Sequence, residues 1–178
     1  MAPTRVTQGA VVPSKIKRSA APPAAAKAEM MSPNEIFTLE WARAWSHEIC
    51  ASAVYQAAGR GWRWPLVVTM RADPELGLPE DRSIYLDLYQ GSCREGRLAT
   101  AEELAASPYV MTADPRSWRQ VLEGRLDLIP ALMRGKVKLV RGSLAALLPH
   151  VAGARELVRS AARIESSYPP AAGSWSVP

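Results

Sequence analysis

The chain has 178 residues, 48% of them hydrophobic, and carries 22 basic against 17 acidic side chains for a formal net charge of +5. That size and apolar content suit one domain with a real core plus tails, and no run approaches the roughly 18 apolar residues a membrane-spanning helix needs. Five of the basic residues and one acidic residue fall within 1–32, so that stretch carries +4 and the remainder is close to neutral, which argues against a nucleic-acid-binding domain, where a basic face on the folded part is expected.

Residues 1–32 are rich in Ala, Pro, Ser and Lys with no apolar period, and read as a disordered basic leader. A solvated tail is the leading reading, with organelle targeting or a tether to a partner or membrane as the alternatives; nothing near Met1 reads as a secretory segment. Ser32-Pro33-Asn34-Glu35 has the form of a capping box with proline at the first helical position. It predicts one long helix to Gly59, with Phe37, Trp41, Trp45, Ile49 and Ala53 on a buried stripe. Trp62 to Asp73 alternates and predicts a strand with Trp64, Leu66, Val68 and Met70 on one face. After a turn-rich loop over 73–81, a second strand is expected over about Arg82–Gln90, with Ile84, Leu86 and Leu88 on one face. A weaker third follows over Ser92–Ala99, after a turn near Gly91 or Glu95-Gly96.

Thr100-Ala101-Glu102-Glu103 is a second capping-box signature and predicts a short helix over 101–106. Tyr109–Ala113 reads as a strand. Asp114-Pro115 opens a helix to Leu122 or Glu123, stopped by Gly124. Asp127 caps another short helix that ends at Gly135, and Lys136–Arg141 alternates as a strand. Ser143 starts the last helical region, which Pro149 must kink or restart before it ends near Ile164. A helix followed by strands and then interleaved short helices predicts an α+β domain over 33–164, with a largely antiparallel or mixed sheet and helices layered on one face. Residues 165–178 read as an irregular tail.

Catalytic signatures are missing: there is no GxSxG, P-loop, GxGxxG, HExxH or CxxC. Glu102 and Glu103 read as first-turn charges of a helix, and His47-Glu48 are sequence neighbours on a helix, which do not face each other. His150 reads as a surface or packing residue. His47 and His150 are isolated, so neither a metal nor a cofactor is expected. Cys50 and Cys93 lie in separate elements, which favours two reduced buried thiols over one disulfide. The six tryptophans, at 41, 45, 62, 64, 118 and 175, outnumber the single Phe. Each reads first as core packing, and Trp41, Trp45 and Trp118 also as lining for an apolar ligand.

From Tyr109 onward the pattern is Ala113-Asp114, Trp118, Leu122, Gly124-Arg125-Leu126-Asp127, Pro130, Ala131-Leu132-Met133, Gly135-Lys136-Val137-Lys138-Leu139 and Gly142. This resembles the sterol carrier protein family, in its type-two lipid-transfer domain. The resemblance is detailed over 109–145 and holds in element order over 33–164. It implies about five strands with helices on one side, enclosing a hydrophobic tunnel for fatty acids, fatty acyl-CoA or sterols. The family's peroxisomal members end in a small-basic-leucine tripeptide, where this chain ends Ser176-Val177-Pro178.

In such a tunnel the expected apolar lining is Trp41, Trp45, Ile49, Trp118, Leu122, Leu128, Leu132, Met133, Leu144 and Leu148. Leu128 and Leu132, like Ile129 and Met133, are four apart, so one short helix offers two apolar edges. Met133 suits the ligand side because its thioether adapts to varied shapes. Leu144, Leu147, Leu148 and Val151 would close the far wall, with Pro149 easing its displacement as a gate. Arg134, Lys136 and Lys138 read first as a solvated strand edge and second as contacts for an acyl-CoA phosphate. The expectation is a non-catalytic, cytoplasmic lipid-binding and transfer module, with at most transient membrane contact. The alternative is a non-catalytic accessory subunit that uses the groove and its tails, the basic leader included, to bind a protein partner.

Overall fold

Thr38 caps the first helix, which starts later than the expected Pro33. The computed structural model describes residues 34–168, so the expected leader, the Ser32 cap and the tail from 169 onward, with Trp175, lie outside the described residues. Thr38 Oγ1 accepts from the Trp41 amide at 3.3 Å, and helix α1 runs Leu39–Ala51. The expected capping box is put to another use: Asn34–Glu35 form a short strand β1, and the Glu35 carboxylate pairs with Arg82. The single long helix also divides. Ser52 leaves helical geometry, accepting from the Tyr55 amide at 3.1 Å and donating to Glu156 Oε1 at 2.7 Å. A serine that bonds this way competes with the helix ladder, and α2 restarts over Ala53–Ala58. The expected stripe holds within α1, where Trp41, Trp45 and Ile49 are buried.

Strand β2 covers Leu66–Met70, shorter than the expected Trp62–Asp73. Proline cannot donate to a sheet ladder, and Pro65 marks the start; Trp64 falls outside the strand and is 41% exposed. Strands β3 (Arg82–Tyr89) and β4 (Ser92–Leu98) form a hairpin. Its two-residue turn, Gln90-Gly91, takes positive φ at both positions, as the twist-matched tight hairpin requires. Helix α3 (Ala101–Ala106) carries the expected capping box, and β5 spans Tyr109–Ala113. Then come α4 (Pro115–Leu122), α5 (Leu128–Met133) and β6 (Val137–Arg141), each within a residue or so of expectation. Pro149 does restart the last helix: α6 (Leu144–Leu147) passes through a 3₁₀ turn, Leu148–His150, into α7 (Val151–Ala162).

The five-stranded sheet has the order β4-β3-β2-β5-β6. Only β2 and β5 pair in parallel; the other pairs are antiparallel. Leu66, Val68, Met70, Ile84, Leu86, Leu88, Met111, Ala113 and Val137 point to one face and join Trp41, Trp45 and Trp118 in the core, as the period-2 alternation of strands dictates. On the opposite face, Arg97 lies over the Tyr85 ring, 4.7 Å from its centroid, and bonds Glu103 of α3 at 2.7 Å. This is the mixed α+β sheet that the resemblance implies. Within the stretch expected to be an irregular tail, Ser166–Ser167 form β7, parallel to β1, and Trp41 Nε1 donates to Ser166 Oγ at 3.0 Å.

The seat of α1 on the sheet depends on Gly96. A Cβ there would lie 2.5 Å from the Ala42 carbonyl oxygen and 2.8 Å from Ser46 Cβ. Backbone cannot yield as a flexible side chain can, so Gly96→Ala is expected to destabilise the protein by about 1–3 kcal/mol in chemical denaturation.

Candidate ligand cavity

Between the sheet and the helical layer lies an apolar cavity of about 60 Å³. Leu66 and Val68 of β2, Leu88 of β3 and Met111 of β5 form its floor. Trp45 of α1, Tyr55 of α2 and Trp62 close one side, Trp118 and Leu128 another, and Leu147 with the Gly153, Ala154, Leu157 and Val158 stripe of α7 forms the roof. Most of these are buried. The half-exposed members are Ala58, His150, Ala154 and Val158, and they mark the opening.

Indoles suit such a wall only if their N–H groups find partners elsewhere. Trp45 Nε1 donates to the Leu157 carbonyl at 3.0 Å, and Trp118 Nε1 to the Thr69 carbonyl at 2.9 Å, both in buried surroundings. The ring faces are thereby left as apolar surface. Phe37 stacks on Trp41 with centroids 5.5 Å apart, and Trp41 meets Trp45 at 5.0 Å, so the wall is braced from behind.

His150 is the polar side chain at the opening. Its ring meets Trp62 edge to face at 5.2 Å, and Gly61 lies so close that a Cβ there would be 3.1 Å from the imidazole. A second polar group is buried behind the roof. The Glu156 carboxylate receives Ser52 Oγ at 2.7 Å and Arg163 Nη1 at 3.1 Å, and Arg163 Nε also reaches Glu48 Oε2 at 3.0 Å. This buried, paired carboxylate ties α7 to the α1–α2 junction. No histidine takes part, so the arrangement lacks a base that would activate the serine. Among the described residues, no group of three or more His, Cys, Asp or Glu side chains could hold a metal ion.

Of the ten side chains expected to line a cavity, Trp45, Trp118 and Leu128 do so. Trp41 and Ile49 are fully buried in the core outside the cavity wall. Leu122 and Leu132 are half-buried against the core, and Leu144 is half-buried as well. Met133 and Leu148 are on the surface, 73% and 56% exposed. The reason for Met133 is rotational: α5 buries Leu128 and Ala131, and a residue five positions after Leu128 is turned about 140° from it. Sequence reasoning missed Tyr55, Met111 and the α7 stripe; the signal for the last is a glycine and small residues at 153 and 154 followed by Leu157 and Val158.

The fold and cavity define an α+β domain with an apolar chamber between its sheet and its helices. No family model matches the chain, and no curated protein does. Among solved structures, a crystal structure of sterol carrier protein 2 superposes with a TM-score of 0.68 at 38% sequence identity, over 73% of this chain and 99% of that one. A solution structure of a conserved hypothetical protein from Thermus thermophilus, named as a candidate sterol carrier protein, also gives 0.68 and 38%, over 76% of this chain and 94% of that one. At that identity and coverage, the chain belongs to the sterol carrier protein 2 family. The resemblance read from Tyr109 onward therefore holds.

Both cysteines are free, but only Cys93 is buried; Cys50 is exposed at the rim of α1, a correction to the expected pair of buried thiols. Burial pushes the Cys93 thiol up to about 11, and the thiolate is the reactive form. Near neutral pH, a thiol reagent is expected to label Cys50 rapidly and Cys93 only on unfolding. Labelling of native Cys50→Ser at the rate of the unmodified chain would contradict this.

Proposed function

We propose that this chain binds and carries an apolar small molecule of the lipid class, such as a fatty acid, fatty acyl-CoA or sterol-like lipid, and makes or breaks no bond in it. The observation that carries the reading is the apolar cavity between sheet and helices, whose wall tryptophans have their polar atoms turned outward. The names of the two similar structures point the same way.

The cavity is small for such cargo. An apolar cavity of about 150 Å³ is what benzene occupies, so a fatty chain needs the roof to move. The weakest roof segment is 143–150, a four-residue helix and a 3₁₀ turn in which Leu147 is the buried side chain. Few buried contacts mean a low free energy of local opening. The Glu156 network, by contrast, anchors α7. Opening therefore pivots between a fixed helix and a loosely held one, at Pro149.

The magnitudes are compatible with loading and release. Burying about ten methylenes is worth roughly 8 kcal/mol, and lost freedom on binding takes back several. A net of about 5 kcal/mol corresponds to roughly high-micromolar affinity. Keeping the void empty costs only about 1.4 kcal/mol at the usual cavity penalty.

Native mass spectrometry of the purified protein, with solvent extraction, is expected to show bound lipid, and a fatty-acyl probe to quench Trp fluorescence saturably. Ala154→Leu, which fills the cavity from α7, is expected to lower probe affinity about tenfold or more while leaving the thermal midpoint unchanged or higher. Met133→Glu is expected to leave both unchanged, since Met133 is on the surface. Full probe binding by Ala154→Leu would remove the cavity from the argument.

A further inference from the structure

Both cysteines sit where α1 runs along β4. Ser46 and Cys50 are four apart on α1 and so share one side of it, and both reach the same residue of the sheet. Ser46 Oγ donates to the Cys93 carbonyl at 3.5 Å, and Cys50 Sγ donates to it at 3.0 Å. Cys93 Sγ turns to the Glu95 carbonyl at 3.3 Å and is buried, 4% exposed. A sulfur resting on the backbone of another cysteine is separated from that cysteine's sulfur by side-chain torsions, which hop between staggered wells. The backbones are held close here by Gly96, whose missing Cβ lets the Ala42 carbonyl approach.

The two thiols differ in a way that suits a stepwise reaction. Cys50 is open to solvent and Cys93 is closed to it. An accessible thiol beside a sheltered one is the arrangement of an attacking and a resolving cysteine. The pair also stands beside the cavity wall. Burial pushes the Tyr55 phenol up, and the nearby Cys93 and Cys50 push it further, so a ring that lines the cavity lies close to both sulfurs. Cys50 comes two residues before Ser52, where α1 breaks, and its carbonyl accepts from Gln56 Nε2 of α2 at 2.8 Å. Whatever fixes Cys50 therefore fixes the root of α2, which supplies Tyr55 and Ala58 to the cavity.

We propose that Cys50 and Cys93 are a redox pair, closed by a small-molecule disulfide into a reversible bond that pins the end of α1 to β4 and slows the exchange of cargo. The slowing rests on the carrier reading; the bond does not. In the first step the Cys50 thiolate attacks one sulfur of the small-molecule disulfide, forms a mixed disulfide and releases one thiol. In the second, Cys93 gives up its proton and attacks the Cys50 sulfur; the internal bond forms and the second thiol leaves with the electron pair of the mixed bond. The two protein thiols lose two electrons in total, the reagent disulfide is reduced to two thiols, and the two thiol protons end on those leaving groups. The bonded residues are 43 apart in sequence, so the closed loop restricts the unfolded chain and stabilises the folded one.

The test is to incubate the full chain with oxidised glutathione under native conditions and to follow intact mass, peptide linkage and thermal midpoint. The expected product is lighter by two hydrogen atoms, yields peptides linked through Cys50 and Cys93, and regains its starting mass with dithiothreitol. Its midpoint is expected to rise by about 5 °C or more. Cys93→Ala is expected to stop at the glutathione adduct on Cys50, and Cys50→Ser to take up no glutathione. A lasting glutathione adduct on Cys50 of the unmodified chain would overturn the proposal. So would an internal bond that forms only in denaturant, or one that lowers the midpoint and so traps an opened form. A fatty-acyl probe is expected to leave the oxidised chain severalfold more slowly than the reduced one, and equal release rates would overturn the effect on exchange. Failure of the reduced chain to bind the probe would instead strike the carrier reading, with the mass measurement still deciding the bond.

Discussion

Two indole hydrogen bonds hold this architecture in a form that can carry a chamber. Trp45 reaches the backbone of α7, and Trp118 reaches the backbone of β2. Each spans two layers and spends its only donor on a buried carbonyl. A buried N–H without a partner would cost about 1–3 kcal/mol, and one aimed into the void would admit water. Because both are directed away from it, large flat side chains can stand beside empty space without collapsing into it. The bracing rings of Phe37 and Trp41 and the close approach allowed by Gly96 then fix how far α1 stands from the sheet.

Behind this wall sits a second constraint of a different kind. Glu156 is a buried carboxylate, sustained by Ser52 and Arg163. Removing a single partner from a buried charge is far costlier than never having had the pair. The arrangement thus resists partial change and keeps α7 and the α1–α2 break together as one body. The roof segment before Pro149 has no such buried ion pair among the described residues.

Local signals were legible where chemistry is local. The Thr100 capping box, the Asp114 and Asp127 caps, the glycine stops at 124 and 135 and the proline at 149 each place an element boundary that the structure keeps. The glycine-lysine pattern after Tyr109 carried the family. Signals failed where distant partners compete. Ser52 breaks a helix because of Glu156, over a hundred residues away, and Asn34–Glu35 pair with Ser166–Ser167. The site was partly legible for a related reason. Periodicity tells which side of a helix is apolar, but not whether that side meets solid core or a void. Trp41 and Trp45 share one stripe, and only the latter touches the cavity. Short helices offer still less: six residues in α5 could not show from spacing alone that Met133 faces water.

The pairing of β1 with β7 has a consequence for how the domain can be built into larger chains. Asn34 sits opposite Ser166, and Glu35 beside them holds Arg82 at the start of β3. Arg82 pairs with Met70, at the end of β2 farthest from Trp62 and Leu66. Entry and exit of the backbone therefore share one corner, at the Met70 end of β2. A fusion partner or linker grafted at either junction would therefore leave from the same side of the domain, which makes this fold easy to insert into a longer chain.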